Sequence, residues 1–421
     1  MDKSTRYKLF NDPIHGFISV PKGIILKLID HPIVQRLRHI KQMGLGYLVF
    51  PAAEHSRFSH AIGAMELAKR ILDNLREKDT TISPAEYEGT LIAVLLHDVG
   101  HGPLSHTLEF NLIEDFHHEL MTLEIMRQLD REFDGALEMA IQIFTNQYKK
   151  KPFLHQLVSS QLDIDRLDYL KRDSVLTGVY EGSVGIDRIL KTMRVHNGNI
   201  VIDKKGIYAI ENYILARRLM YMQVYLHKTV LSADKLLRSI FNRVRSLIDR
   251  GVDIEQPSPA LAYFLRERPA AGKGINRAML RHYLDLDDND IFLSIKYWQK
   301  ADDPVLSDLC RRFRSRSLFR TTFLKGNASK KLKQQVKSKT QQFLKQKGLP
   351  HDEDSASHYY SFDKSYSEAY RYESEGIWIL EDQDRVIEFS KAADTKNVIA
   401  LTKPVVKPYL IHLKEIDIDL A

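Results

Sequence analysis

The stretch EYEGTLIAVLLHDVGHGPLSH, residues 86–106, decides how the chain folds. Through Leu96 it is apolar on nearly every side, as a fully buried helix must be. Gly100, Gly102 and Pro103 disfavour its continuation. Four chemically expensive side chains, His97, Asp98, His101 and His106, therefore follow directly on a segment bound for the core. A buried carboxylate without a partner is strongly disfavoured, and metal coordination is one remedy. His97 and His101 stand at i, i+4, a spacing that lets two imidazoles share a face. His97 and Asp98 point about 100° apart on a helix, so both reach one ion only if it sits over the helix end, between helices. The competing reading is one core histidine bonded to backbone and two at the surface.

Outward from that stretch the chain reads as helical. HPIVQRLRHIKQMG carries Pro32 at a helix start and Gly44 just past its end. SHAIGAMELAKRILDNLREK puts Ile62, Met65, Ile71, Leu72 and Leu75 at helical spacing. Segments 119–130, 154–173 and 210–249 are expected as further helices. NGNIVIDKKGIYAI reads as a hairpin with Asn-Gly and Lys-Gly turns. After about residue 320 the character changes. A lysine-rich run without acids (326–348) gives way to a Tyr- and Ser-rich stretch and then to strand-like IWILE, NVIALT and YLIHL. The expected class is mainly α: a helical body over 1–320 and a smaller α+β region over 321–421.

At 421 residues and 43% hydrophobic the chain can bury a large core. A net charge of +7 suits an anionic ligand but is small for this length. One cysteine, Cys310, excludes an internal disulfide framework. No run approaches the roughly 20 apolar residues of a membrane span, and the first residues carry no apolar stretch. A soluble, cytoplasmic protein is expected.

RFSHAIG offers His60, with Arg57 beside it, and QLDIDRLDYLKRDS puts Asp165, Tyr169 and Asp173 on one stripe at i, i+4, i+8. Asp163 and Asp168 read as solvent-facing. Spacing alone chooses neither Asp165 over its neighbours nor His60 over His55.

The order His60, His97-Asp98, Asp165 resembles the HD-domain phosphohydrolases. NDPIHGFI (11–18), VQRLRHIKQMGLGYLVFPAAEHSRFSHAIG (34–63), LLHDVGHGPLSH (95–106), DIDRLDYLKRDS (163–174) and YLHK (225–228) together resemble the deoxynucleoside triphosphate triphosphohydrolases. The likeness is to the branch containing the vertebrate enzyme with a sterile-alpha-motif domain. It spans about 8–240, thins to 325, and places an HD core at about 50–175, with no sterile-alpha-motif segment.

The resemblance implies His60, His97, Asp98 and Asp165 as ligands of one divalent ion. Two imidazoles and two carboxylates leave open positions, suiting iron, manganese, nickel or magnesium better than a closed structural zinc. It implies hydrolysis of a dNTP to the deoxynucleoside and intact triphosphate. His118, with Glu119, is the implied acid for the departing 5′ oxygen; His117 reads as a surface residue. Glu109 stands where the vertebrate enzyme has aspartate. His101, His106, Arg57, Arg166, Tyr169 and Arg217 occupy phosphate-contacting positions, Arg166 replacing a lysine. Arg217 forms a stripe with Tyr221 and Tyr225. Gln42, Asp173 and Tyr225 match residues around the deoxyribose, and Met43 replaces a leucine there. Lys8, Asp30, Gln35 and Arg38, with Arg188, match an activating GTP/dGTP site at a subunit interface, which implies a dimer or a nucleotide-assembled tetramer. For 325–347, a solvated amphipathic helix with Leu332, Val336 and Phe343 on one stripe competes with a nucleic-acid or activator-phosphate contact. The alternatives for the whole chain are an HD hydrolase of another nucleotide or phosphodiester, and a nucleic-acid-binding protein with a vestigial site.

Overall fold

Asp12 accepts the backbone amides of Ile14 and His15 at 2.9 and 3.0 Å, turning strand β1 (Tyr7–Asp12) back into β2 (Gly16–Pro21). The computed structural model describes residues 7–104, 112–367, 370, 376–381, 385–393 and 404–420. His106, Glu109 and the NVIALT run lie outside them. The class is mainly α, with sheet added by the last hundred residues.

Helices α1 (Ile24–Asp30) and α2 (Pro32–Gln35) precede α3 (Arg57–Arg76) and α4 (Pro84–Leu96). Pro32 begins α2 as expected, but the helix tightens to a 3₁₀ turn at Arg36–His39, and Gly44 starts a second such turn rather than ending a long helix. Ser83 caps α4 reciprocally with Glu86, fixing its start. Leu91 through Leu96 are all buried, and α3 packs Ala61, Ala64, Ala68, Ile71 and Leu72 into the same core. Each fully buried leucine or isoleucine is worth about 1.5–3 kcal/mol, so this pair anchors the body.

The next helices are α5 (His118–Glu132), α6 (Glu138–Phe144), α7 (Pro152–Val158), α8 (Ile164–Thr177) and α9 (Ile186–Thr192). The helix expected over 154–173 is thus two. Asp163 accepts the amides of Arg166 and Ser160, capping a new start where one continuous helix was expected.

Strands β3 (Met193–His196) and β4 (Asn199–Asp203) form the expected hairpin, with Asn197 and Gly198 at φ 47° and 77° as a tight primed turn requires. Lys205-Gly206 makes a short helical turn into α10 (Ile207–Met220), not a hairpin turn. The expected 210–249 helix is broken by a π-helical turn, Tyr221–Tyr225, and an extended His227 before α11 (Lys228–Asp249). Then follow α12 (Pro259–Glu267), α13 (Arg277–Leu284), α14 (Asp288–Trp298) and α15 (Pro304–Arg314).

The remaining elements are β5 (Arg320–Phe323), α16 (Lys330–Gln346), α17 (Glu353–Ser357), β6 (Ser361–Ser367), β7 (Trp378–Leu380), β8 (Val386–Glu388), α18 (Phe389–Ala392) and β9 (Val405–His412). β9 lies between β5 and β6, and β7 pairs in parallel with β4 and antiparallel with β8. The basic segment forms α16, burying Val336 and Phe343, with Leu332 half-buried. Among the described residues no helix is long and apolar enough to cross a membrane.

Candidate active site

His97 occupies the C-cap of α4, and hydrogen bonds from Val99 to Leu96 and from His101 to Asp98 wind the chain tightly past it. Gly100 allows this path, because a Cβ there would overlap the backbone and Thr122 of α5. Thr122 donates to the His97 carbonyl at 3.0 Å and accepts the Gly100 amide at 3.1 Å. His60 comes from the first turn of α3 and Asp165 from the first turn of α8.

These elements bring His60 Nε2 to 3.2 Å from His97 Nε2 and 3.1 Å from Asp165 Oδ1, with His97 Nε2 3.5 Å from the same oxygen. All three donors lie within 4.8 Å of one another. Asp98 adjoins them, Oδ1 at 3.4 Å from His97 Nε2 and Oδ2 at 3.7 Å from His60 Nε2, while Arg57 also holds Oδ2.

The donor set fits a divalent cation for a reason visible in the hydrogen bonds. His60 Nδ1 faces Asp168 at 2.8 Å and His97 Nδ1 faces the Val94 carbonyl at 2.6 Å, so each Nδ1 carries the proton when its ring is neutral. Both Nε2 lone pairs then converge, and two acceptors at this distance need a shared proton or a cation between them. Burial opposes charge on His60, but hydrogen bonds to Asp165 and Asp168 and the charge of Asp98 push its pKa up to about 10. Burial likewise opposes ionisation of Asp98 and Asp165. Arg57, His101 and His97 nonetheless hold Asp98 well below the carboxylate range, and His60 and His97 do the same for Asp165.

Behind the cluster lies a network absent from the sequence reading. Asp168, which helical spacing assigns to solvent, is completely buried: it meets His60, His15 at 2.6 Å and Arg172 at 2.8 Å, and Arg172 continues to Asp12 at 2.8 Å. Gly63 makes room, since a Cβ would overlap Arg172 and Asp168. Asp163 is also buried, because it caps α8 and pairs with Arg166. The legible signal was Asp168 and Arg172 at i, i+4, but only a partner as distant as Asp12 marks their face as interior.

A cleft of about 680 Å³ opens from the candidate metal donors His97, Asp98 and Asp165. Gln42, Met43, Arg57, His101, His118, Glu119, Arg166, Tyr169, Asp173, Tyr221 and Tyr225 line it. His118 and His101 rings lie 3.9 Å apart, and His117 is exposed as expected. Arg166 reaches the cleft already bonded to Asp163 and the Ser160 carbonyl. Arg217 does not line it; the residue is buried, donating to Gln161 at 3.1 Å. Two turns along α8 from Asp165, Tyr225 Oη donates to Asp173 at 2.7 Å, and His55, the histidine that spacing left open, meets the other Asp173 oxygen at 2.7 Å. Burial raises the Tyr225 hydroxyl well above its ordinary pKa, and Asp173 adds to the shift.

Elsewhere, exposed Lys8 pairs with Asp30 at 2.9 Å. Gln35 donates to the Ile29 carbonyl, Arg38 donates to Gln35 and stacks 3.7 Å over Phe58, and Arg188 donates to the Lys205 carbonyl.

A family model described as the HD domain matches residues 57–173, and one described as an HD associated region matches 184–255. The uncharacterized protein YwfO of Bacillus subtilis is 38% identical over 322 residues, 75% of this chain and 72% of its own length. The human deoxynucleoside triphosphate triphosphohydrolase SAMHD1 is 29% identical over 363 residues, and the chain spans 54% of that protein. A solved phosphohydrolase from Bacteroides thetaiotaomicron superposes with a TM-score of 0.91 at 39% identity, over 96% of this chain and 99% of its own. With its His60, His97 and Asp165 donors inside the matched domain, this chain belongs to the HD-domain phosphohydrolases.

Proposed function

We propose that the protein hydrolyses deoxynucleoside triphosphates to the deoxynucleoside and inorganic triphosphate, attack falling at the α-phosphorus. The observation that carries this reading is one cleft lined both by Asp165 of the candidate metal donors and by a Tyr225–Asp173 pair two helical turns farther along α8. His60, His97, Asp98 and Asp165 would hold the ion. When bound, a divalent cation polarises a phosphoryl oxygen and lowers the pKa of a water. Arg57 keeps Asp98 oriented and presents a guanidinium to the phosphates. His118, steadied against His101 and with Glu119 beside it, delivers the proton to the departing 5′ oxygen. His106 and Glu109 are proposed to support this step. Arg166, Tyr169 and Tyr221 face the polyphosphate, and Arg217 backs them. Gln42 and Met43 flank the sugar, Asp173 accepts its 3′-hydroxyl, and Tyr225 closes the space that a 2′-hydroxyl would need.

In this reading residues 1–320 form the catalytic body around an HD core at about 50–175, and 321–421 form the appended region. Lys8, Asp30, Gln35, Arg38 and Arg188 bind GTP or dGTP between subunits of a homo-oligomer. A second reading, an HD hydrolase for a nucleotide with fewer phosphates, is favoured by one observation: Arg166 is already neutralised by Asp163.

The test is to incubate the purified protein with each dNTP and a series of divalent metals, with and without GTP or dGTP, and identify the products. Triphosphate release supports the first reading. Pyrophosphate release or exclusive turnover of monophosphates rejects it.

A further inference from the structure

Two walls of the cleft, Gln42–Gly44 and His101–Leu104, come from segments about sixty residues apart, and one carboxylate bonds both Leu104 and Lys41, the residue that leads into Gln42. Asp288, at the start of α14, accepts the Lys41 amide on Oδ2 at 2.9 Å and the Leu104 amide on Oδ1 at 2.7 Å. It is buried, so neither bond is exchanged for water at low cost. Its neighbours reinforce the same join. Tyr283 Oη donates to the Gly100 carbonyl at 2.7 Å. Arg36, itself buried, donates to the His101 carbonyl at 3.1 Å and the Leu286 carbonyl at 2.9 Å while lying over the Tyr283 ring.

The walls they fasten are under constraint. Leu104 adopts φ 50°, a left-handed conformation that a branched side chain avoids without support. Gly44, also at φ 50°, comes so close that a Cβ would lie 3.2 Å from the Leu104 carbonyl. Lys41 in turn bridges Ser56, the cap of α3, so the carboxylate is connected through backbone to the helix that carries Arg57 and His60. None of Tyr283, Leu286 or Asp288 falls within the matched HD domain or its associated region.

We propose that Asp288, seconded by Tyr283 and Arg36, is a positioning residue that sets the distance between the two walls of the cleft, and with it the placement of His101 relative to Gln42. The inference rests on the reading of the cleft as a nucleotide-hydrolysing site. An asparagine keeps the volume but supplies one acceptor where two amides need one each, so one amide loses its partner.

The experiment compares Asp288→Asn with the wild-type full chain, metal-loaded, by hydrogen exchange of segments 40–46 and 99–104 and by steady-state kinetics. Exchange in at least one segment should quicken about tenfold. KM for the nucleotide should rise roughly fivefold, with metal content unchanged. A smaller folded fraction would lower kcat and leave KM in place, so the KM change separates positioning from stability. Unchanged exchange, or faster exchange with an unchanged KM, overturns the proposal. If Asp288→Asn does not fold, Tyr283→Phe removes the hydroxyl bond to Gly100 and keeps the ring; wild-type exchange over 99–104 in that variant overturns it too. If the wild type turns over no nucleotide, the functional reading fails, while the exchange of the two segments still decides whether the join exists.

Discussion

His60 and His97 present their Nε2 atoms to each other at 3.2 Å, each ring committed through its other nitrogen. That relationship fixes the expected consequence of dismantling the cluster. Asp98→Ala and Asp165→Ala should each lose bound metal and turnover together. Elemental analysis of the purified variants reads this directly. Metal retained at wild-type stoichiometry after either change would refute the ligand assignment.

Asp168 is fully buried and does not line the cleft, yet it orients His60 and joins His15 and Arg172. Asp168→Asn should weaken metal affinity about 10- to 100-fold, the usual effect of removing a carboxylate behind a ligating histidine. A chelator competition measures it. A folded variant with undiminished affinity would show that the network serves stability alone.

Glu86 predicts a pH dependence remote from the metal. Burial opposes its ionisation, but hydrogen bonds from Lys151, Tyr148 and Ser83 outweigh that and lower its pKa from 4.5 to about 2. As pH falls the unfolded chain takes up this proton first, so the stabilisation is complete above about pH 4.5 and is lost between there and about pH 2. Glu86→Gln should flatten the loss of stability across that window. Urea unfolding at a series of pH values tests it; a slope identical to wild type would remove the assignment.

Arg38→Ala should reduce activation by GTP or dGTP and the accompanying assembly, leaving metal content unaltered. Light scattering with and without nucleotide, beside turnover, provides the measurement. Wild-type behaviour on both would end the case for a regulatory site on this face.

The buried α4 and the histidines behind it were legible because a continuous apolar run leaves little choice of environment. The Asn197-Gly198 hairpin was legible from its turn chemistry. What spacing hid were the breaks: Asp163 looks like any polar residue until its carboxylate is seen capping α8. Periodicity also misassigned Asp168, since an acid paired with arginine and two histidines lies comfortably on an interior face. His55 escaped for a related cause, because only the fold brings it across to Asp173, 118 positions away.

The parallel pairing of β4 with β7 has a bearing on how the protein can be handled. Ile202 and Asp203 of β4 are zipped to Ile379 and Leu380, near the far end of the polypeptide. A fragment ending near residue 320 would keep the β3–β4 hairpin but leave the outer rim of β4 bare, an invitation to self-association. Excising the helical part for crystallisation or labelling would thus create a sticky border that the intact molecule covers with its own tail.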